Sequence, residues 1–450
     1  YKPFMWPPSF WGRVSEPMIR RAAGLGRASG EPDPDRYEKS NAHCEVLVIG
    51  SGPAGVMAAL TAARAGVRVI VVEQDFIFGG RLNDDRQQID GQAAQSWLSS
   101  ALAELASMPD VRLMSRTTAF GTFDQRCYGA VERVTDHMAA PPEWLPRQRL
   151  WRIVAKQTIL ATGSIERPIA FPNNDRPGLM LAGAIRTYLN RFAVRPGTNA
   201  LVFAGHDNAG RTARDLADAG CTVAAIVDPR EDSSLAMQDA SERSGARLYR
   251  NSVVADVRGG KNGVKAVVVS GPEGERIIEC DVVAMSAGWN PTLHLASHLG
   301  HKPVWNPQAG AFVPDRVPDG MRVVGAARGA FSLSDALRDG ASAAGAALSA
   351  EGFSVPIAVI PVASEESAAG RPLWRVRAVD NADVKGPAFI DFQNDVTTSD
   401  LEIADREGFR AAELMKRYTT LGMATDQGKT SGVGGTAIMA EMTDTAIEQV

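Results

Sequence analysis

From Cys44 the chain carries short, unbroken apolar runs separated by helical patterns. "CEVLVIG" is β-branched and continuous, as in a strand buried on both faces, and "RVIVVE" repeats the pattern from Arg68. Between them "AGVMAALTAARAGV" places small residues at helical spacing. Strand, helix and strand in that order predict a right-handed βαβ unit with parallel strands. A comparable unit is expected at "NALVFAGHDNAGRTARDLADAGCTVAAIVD", Asn199 to Asp228. "QTILATGSIERP" runs from a strand into a glycine turn between the two units, and "DVVAMSAGWNP" closes the second in a similar way. After residue 352 the chain is rich in proline and turn residues. "AFIDFQ" then predicts a strand, and "TSDLEIADREGFRAAELMKRYT" a helix. The expected class is therefore α/β, with two dinucleotide-type domains and a small helical domain after them.

The first βαβ unit carries chemistry in its turn. Gly50-Ser51-Gly52-Pro53-Ala54-Gly55 is G-x-G-x-x-G, directly after a strand and directly before a helix. Gly50 permits the tight turn, Gly52 lets a pyrophosphate approach the backbone, and Gly55 lets helix and strand pack closely. The helix start then offers unpaired N–H groups and the positive end of its dipole. Glu73 ends the second strand, near the spacing of about 20 residues expected for a ribose-binding acid. A carboxylate there accepts from ribose hydroxyls and repels a 2′-phosphate, which selects NAD or FAD over NADP. The alternative is a glycine-rich turn that binds nothing.

Composition narrows the partners. Lys plus Arg number 48 and Asp plus Glu 52, so the formal charge of −4 gives no basic footprint for nucleic acid or a membrane surface. No apolar run reaches the roughly 18 residues of a membrane span. Cys44, Cys127, Cys221 and Cys280 lie far apart with no C-x-x-C pair, which argues against zinc, an iron–sulfur cluster and a disulfide framework, and for a cytoplasmic setting. His294 and His298 stand at i and i+4, but no acidic third ligand accompanies them, so packing or surface roles are expected and no metal. The chain opens at Tyr1 and ends in "TAIMAEMTDTAIEQV", a helical pattern without a stop signal, as a piece of a longer polypeptide would.

Two further segments resemble motifs of two-dinucleotide flavoprotein reductases. "ILATGSIERP", with Thr162 and Gly163, resembles their A-T-G crossing between domains. "RVVGAARGAFSLSDALRDGASAAGAA", with Gly325, resembles the final motif that brings N–H groups to the same pyrophosphate. This resemblance makes residues 43–165 and 289–352 one discontinuous dinucleotide-binding domain, with a second domain, 166–288, inserted. The second glycine loop is degenerate. It keeps Gly205 and Gly210, but Asp207 sets a negative charge where a phosphate would lie, which favours a structural role. Residues 1–42 read as an extension with an aromatic, proline-rich start that packs on another domain, on a partner chain or on its own chain. Residues 353–385 read as a linker, 386–432 as the small helical domain, and 433–450 as the start of a further one.

Longer stretches are more specific. "FMWPPSFW", "FGGRL", "LATGSIERPIAFPNNDRPGLMLAGAIRTYLNR", "AGWNPTLHL" and "DFQNDVTTSDL…KRYTTLGMATDQGK" resemble the α subunit of heterotetrameric sarcosine oxidase, over essentially the whole chain. The resemblance implies a complex of α, β, γ and δ subunits that converts sarcosine to glycine with hydrogen peroxide. The carbon is released as formaldehyde or as 5,10-methylenetetrahydrofolate. Amine oxidation is implied on FAD in the β subunit, with FMN at the α/β interface. Tetrahydrofolate is implied in a C-terminal α domain beyond this chain. For this chain it implies NAD in the first dinucleotide site without redox turnover, and no catalytic residue. The implied contacts are Ala54, Glu73, Gln74, Asp75, Gly80, Arg81, Ala119, Ala326, Phe331 and Leu333. It also implies that residues 386–432 resemble a [2Fe–2S] domain stripped of its cysteines. The ligand places become Asp391, Gln393, Asp426 and Ser431, none a thiolate. "GMATDQGKTS", a near match to a phosphate-binding P-loop, then reads as a kept scaffold whose Lys429 faces the FMN interface or simply the subunit contact. Rival readings are a subunit of a related amine, opine or proline dehydrogenase, a self-sufficient FAD/NAD reductase, and a scaffold with a structural dinucleotide.

Overall fold

The computed structural model describes residues 7–24, 26, 29–364, 367, 370–377 and 386–450. The start of the aromatic arm, residues 1–6, and the end of the expected linker, residues 378–385, lie outside the described residues.

The first apolar run sits in the middle of a seven-stranded sheet. Tyr37–Ile49 pairs in parallel with Val69–Val72 on one side and Gln148–Leu160 on the other, and Val111–Met114 extends the parallel half. Beyond Gln148–Leu160 the sheet turns antiparallel through Cys127–Arg133 and Thr117–Phe123. Met321–Val323 adds in parallel to the last three residues of Gln148–Leu160, so a distant segment completes this sheet. The first strand begins at Tyr37, inside the segment read as an extension. Residues 37–43 are polar and mostly exposed, so no apolar run marks them; pairing with residues 148–154 makes them a strand.

Helices Pro53–Ala63, Ala94–Ser107 and Leu333–Ala350 cover one face, with Val46, Val69, Leu98, Leu333 and Leu337 in a common core. Pro53–Ala63 and Leu333–Ala350 approach at glycine: a Cβ on Gly340 would lie 2.1 Å from the Ala54 carbonyl oxygen. Gly340→Ala therefore forces the two helices apart. A stability loss of about 1–3 kcal/mol is expected, together with reduced retention of any ligand held by the Gly50 turn. Chemical denaturation of the purified variant checks the first effect and its released nucleotide the second.

The inserted unit has five parallel strands in the order Leu179–Leu181, Val282–Ser286, Asn199–Ala204, Thr222–Val227, Arg247–Tyr249. An antiparallel sheet, Val253–Gly260, Gly263–Gly271 and Gly274–Glu279, packs against it through Phe171, Phe203, Val254 and Val267. The two units are joined by a short antiparallel ladder between Ser164–Glu166 and Trp289–Pro291. The C-terminal unit is a hairpin, Phe389–Asp391 with Val396–Thr397, and three helices around Ile390, Leu401, Met415 and Ile438. The helix expected over 398–419 is two, Thr398–Arg406 and Ala412–Thr419. Gly408 at φ +86° breaks it. Among the described residues no helix is long and apolar enough to cross a membrane.

Candidate dinucleotide site

A cavity of about 840 Å³ opens where the first unit, the inserted unit and the C-terminal loop meet. Its floor is the Gly50 turn. Gly50 has φ +96°, and a Cβ there would meet the Ala161 carbonyl oxygen at 2.4 Å, so only glycine fits. The helix Pro53–Ala63 starts at the turn, and its first backbone bond is Val56 N–H to Gly52 oxygen. Pro53 has no N–H; the N–H groups of Ala54 and Gly55 precede that first bond and face the turn. A Cβ on Gly52 or Gly163 would meet no protein atom within 4 Å, so the space beside both is open to a ligand. Glycine backbone, helix start and acidic strand end together fit a dinucleotide.

Glu73 is tied to the turn. One carboxylate oxygen accepts from the Ser51 N–H at 2.9 Å and the Ser51 hydroxyl at 2.6 Å, and the other accepts from the Asp75 N–H at 2.9 Å. A carboxylate has about four acceptor sites, so capacity remains for a ribose.

Of the residues expected at the site, Gly50, Gly52, Ala54, Glu73, Gln74, Gly80, Arg81, Ala119, Thr162, Gly163, Ala326, Phe331 and Lys429 line this cavity. Gly55, Asp75, Gly325 and Leu333 do not, each for a packing reason. A Cβ on Gly55 would lie 2.0 Å from the Gly50 oxygen, so Gly55 shapes the turn from behind. Asp75 is held bidentately by Arg191 at 2.7 and 3.0 Å. Burial raises its pKa, but Arg191 outweighs this and keeps the carboxyl below its usual range. Gly325, at φ +62°, would set a Cβ 2.9 Å from Ala54. Leu333 is fully buried in the core under Leu333–Ala350.

The structure adds charged residues that sequence reading missed. Asp85, almost fully buried, receives Arg81 at 2.8 Å, Arg211 at 3.1 Å and Arg186. Burial alone would raise this carboxyl; Arg186, Arg211 and Arg81 instead hold it far below the usual carboxylate range. Arg81 also donates to the Phe331 carbonyl at 2.7 Å and to Gln87 at 2.9 Å, so the expected pyrophosphate cation is clamped from three sides. Three guanidiniums meet on Asp85, with Asp84 and Glu166 also on the lining. Glu166 lines the cavity too, accepts from the Gly183 N–H at 2.6 Å, and is raised in pKa by burial. At the far end stand His294, His298, Gln427 and Lys429. Burial, then the charges of Lys429 and His298, lower the His294 pKa. Both histidines, expected to have packing or surface roles, line the cavity, and the His298 ring accepts from the Thr122 N–H at 3.3 Å.

Two other loops do not offer a phosphate cradle. In the inserted unit Asp207 is paired with Arg230 at 2.8 Å and bonded by Ser367, and the Gly205 carbonyl accepts from the Arg371 N–H at 2.8 Å, so residues 370–372 cover the turn. In Gly422–Ser431 the donors that a phosphate would use are already taken. Asp426 accepts from the Gly428 N–H at 3.0 Å, the Thr430 N–H at 3.2 Å and the Thr430 hydroxyl at 2.8 Å. Asp391 ties the same loop, accepting from the Gly422 N–H at 2.7 Å and the Ser431 hydroxyl at 3.2 Å. The loop is docked on the interdomain ladder, where Asn290 donates to the Lys429 carbonyl at 3.3 Å.

Comparison with known proteins agrees with this geometry. Residues 44–310 match the pyridine nucleotide-disulphide oxidoreductase family, and residues 385–450 match the sarcosine oxidase A3 domain. The chain is 47% identical, over 98% of its length, to the sarcosine oxidase alpha subunit of Rhizobium meliloti (strain 1021). It is 40% identical, over 93%, to the sarcosine oxidase alpha subunit of Corynebacterium sp. (strain P-1). It spans 44% of the length of each. Among solved structures, L-proline dehydrogenase from P. horikoshii shares the fold at TM-score 0.68 and 19% identity, over 94% of this chain and 78% of that one. T. acidophilum thioredoxin reductase does so at TM-score 0.54 and 16% identity, over 69% and 99%. The match over residues 44–310, laid on a sheet that is completed only from residue 321, makes this chain a member of the pyridine nucleotide-disulphide oxidoreductase family, with sarcosine oxidase α subunits as relatives it resembles along almost its whole length.

Proposed function

We propose that this chain is the nucleotide-holding part of the α subunit of a sarcosine oxidase complex, with NAD in the cavity above Gly50. The observation that carries the reading is the pairing of that cavity with 47% identity to a sarcosine oxidase α subunit over nearly the whole chain. Gly50, Gly52 and Ala54 would hold the pyrophosphate, Glu73 the ribose, and Thr162, Gly163, Ala326 and Phe331 the opposite wall. Gly55, Gly325 and Leu333 support those positions from behind, and Asp75 fixes the turn after Glu73. A bound NAD supplies a fixed, anionic body that ties the two units and the C-terminal loop together. The chain's own work is to hold and orient it, with Arg81, Arg186 and Arg211 fixed on one wall by Asp85.

On this reading the N-methyl group of sarcosine is oxidised on the β subunit, with FAD there and FMN at the α/β interface. Glycine, hydrogen peroxide and formaldehyde, or methylenetetrahydrofolate, are the products. The C-terminal unit forms part of the FMN interface, with Lys429 turned toward the cavity. Asp391 and Asp426 knit its loops by hydrogen bonds where a cluster-bearing relative would use metal, so the unit needs no iron. The γ and δ subunits complete a cytoplasmic heterotetramer. An opine oxidase subunit of Agrobacterium tumefaciens (strain Ach5), 27% identical over 61% of this chain and 58% of that one, supports a second reading, in which the complex acts on another secondary amine.

The test is to purify the full-length protein with its subunits, separate and denature them, and identify the nucleotides released. NAD from this chain and flavins from its partners is the expected result. FAD from this chain alone would overturn the NAD assignment and favour a self-sufficient reductase. Turnover of an opine or proline in preference to sarcosine would favour the second reading.

A further inference from the structure

A smaller cavity of about 310 Å³ lies over the inserted unit, and Asn208, Trp289, Ala330 and Phe331 form the wall that it shares with the large one. Arg167 lines it and is 2% exposed. Its guanidinium donates only to uncharged groups: the Ala287 carbonyl at 3.3 and 3.0 Å, Asn290 Oδ1 at 3.1 Å and the Gly310 carbonyl at 2.9 Å. The Trp374 ring covers it at 4.5 Å. Among the described residues no carboxylate pairs with it, and burial draws its pKa down to about 9, still charged at neutral pH. A buried cation without a counter-charge is costly, and such groups are normally paired.

His206 lines the same cavity and is buried. Its Nε2 is 2.7 Å from the Ser286 hydroxyl, while Nδ1 has no hydrogen-bond partner. Burial, then Arg230, Arg167 and Arg186, keep the ring neutral, with Asp207 opposing them only weakly. His206 thus brings one open ring nitrogen to the cavity wall. Asp335 also borders the cavity, but its carboxylate accepts from the Ser332 hydroxyl at 2.6 Å and pairs with Arg338 at 2.8 Å. The rest of the wall is mixed: Trp289, Phe331 and Ala309 are apolar, while Asn306, Gln308, Ser332 and the exposed Arg371 are polar.

We infer that this second cavity binds a small organic carboxylate, one oxygen pairing with Arg167 beside the open Nδ1 of His206. A negative charge matches the buried Arg167, which has no carboxylate partner among the described residues; the second cation on the lining, Arg371, is exposed. The volume suits a molecule of a few carbons. The site is separate from the dinucleotide site and goes beyond the function proposed above.

The test is calorimetric titration of sodium acetate into the full-length protein with its subunits, at ionic strength held constant with sodium chloride. Ala309→Phe fills the cavity and leaves Arg167 in place; Arg167→Met removes the cation. A saturable acetate site, one per chain, is expected in the parent protein. It should weaken about tenfold or more in each variant, with the released nucleotide unchanged in Ala309→Phe. Acetate bound on a partner subunit is insensitive to both variants. If Arg167→Met does not fold, Ala309→Phe decides alone. No site that Ala309→Phe weakens, or inorganic phosphate binding there as tightly as acetate, overturns the inference.

Discussion

Replacing Asp85 with alanine is expected to destabilise the protein by about 3–5 kcal/mol, the range for breaking a buried ion pair from one side. The side chain is nearly inaccessible, and three guanidiniums converge on it from separate parts of the chain. Without it Arg81, Arg186 and Arg211 face one another across a poorly solvated wall, and their repulsion adds to the lost attraction. Asp85→Asn keeps the shape and loses the charge, so most of the cost should remain. The sign with pH follows from the depressed pKa of Asp85. Its contribution is complete above the unfolded carboxylate pKa of about 4 and is lost as pH falls toward the folded value. Denaturant unfolding at neutral pH and in acid should therefore show the gap between parent and Asp85→Asn narrowing as pH drops. A gap that stays constant would mean that the carboxylate is not the ionised centre of the cluster.

Glu73→Lys is expected to yield protein purified without nucleotide, and destabilised by about 1–3 kcal/mol, the cost of leaving buried partners unsatisfied. Two roles end at once. The Ser51 N–H and hydroxyl and the Asp75 N–H lose their common acceptor, which loosens the turn beneath the cavity. An ammonium also replaces the group proposed to accept from the ribose. Glu73→Gln retains one oxygen and should fall between the parent and Glu73→Lys in nucleotide content. Mass spectrometry of the supernatant after denaturation reads both. Full nucleotide in Glu73→Lys would place the ligand elsewhere in the molecule.

The elements legible in the chain are those whose signal is local. The Gly50 turn announces itself because strand, glycine spacing, helix and Glu73 lie within one short segment; Gly50 and Gly55 have a steric reason within the chain, while Gly52 leaves open space. Asp207 foreshadows the covered turn of the inserted unit. Features assembled by tertiary packing are not legible. Arg186 and Arg211 read as ordinary surface cations until folding sets them on Asp85. Arg167 passes as the tail of a strand-end motif, since nothing nearby in sequence shows that it will be buried without an acid. His294 and His298 stand out by their spacing alone; their shared exposure to the cavity depends on a helix docking beside Thr122. The strand from Tyr37 is hidden for the opposite reason, since its outer half is polar and gains its identity from backbone pairing. Asp75 and Leu333, expected as contacts by resemblance, stand behind the cavity lining, one held by Arg191 and the other in the core.

The completion of the first sheet by Met321–Val323, and of its core by Leu333, Leu337 and Leu348, has a consequence for how the molecule is made. During synthesis the strands and helix that surround the Gly50 turn emerge early but lack one strand and the covering helix. The inserted unit, contiguous in sequence, has all its strands by Ser286 and can close first. The unit around the Gly50 turn must then wait, with apolar residues uncovered, until the strand from Met321 and the helix from Leu333 return to it. Nascent-chain protection, rather than final stability, becomes the step most exposed to failure in this fold.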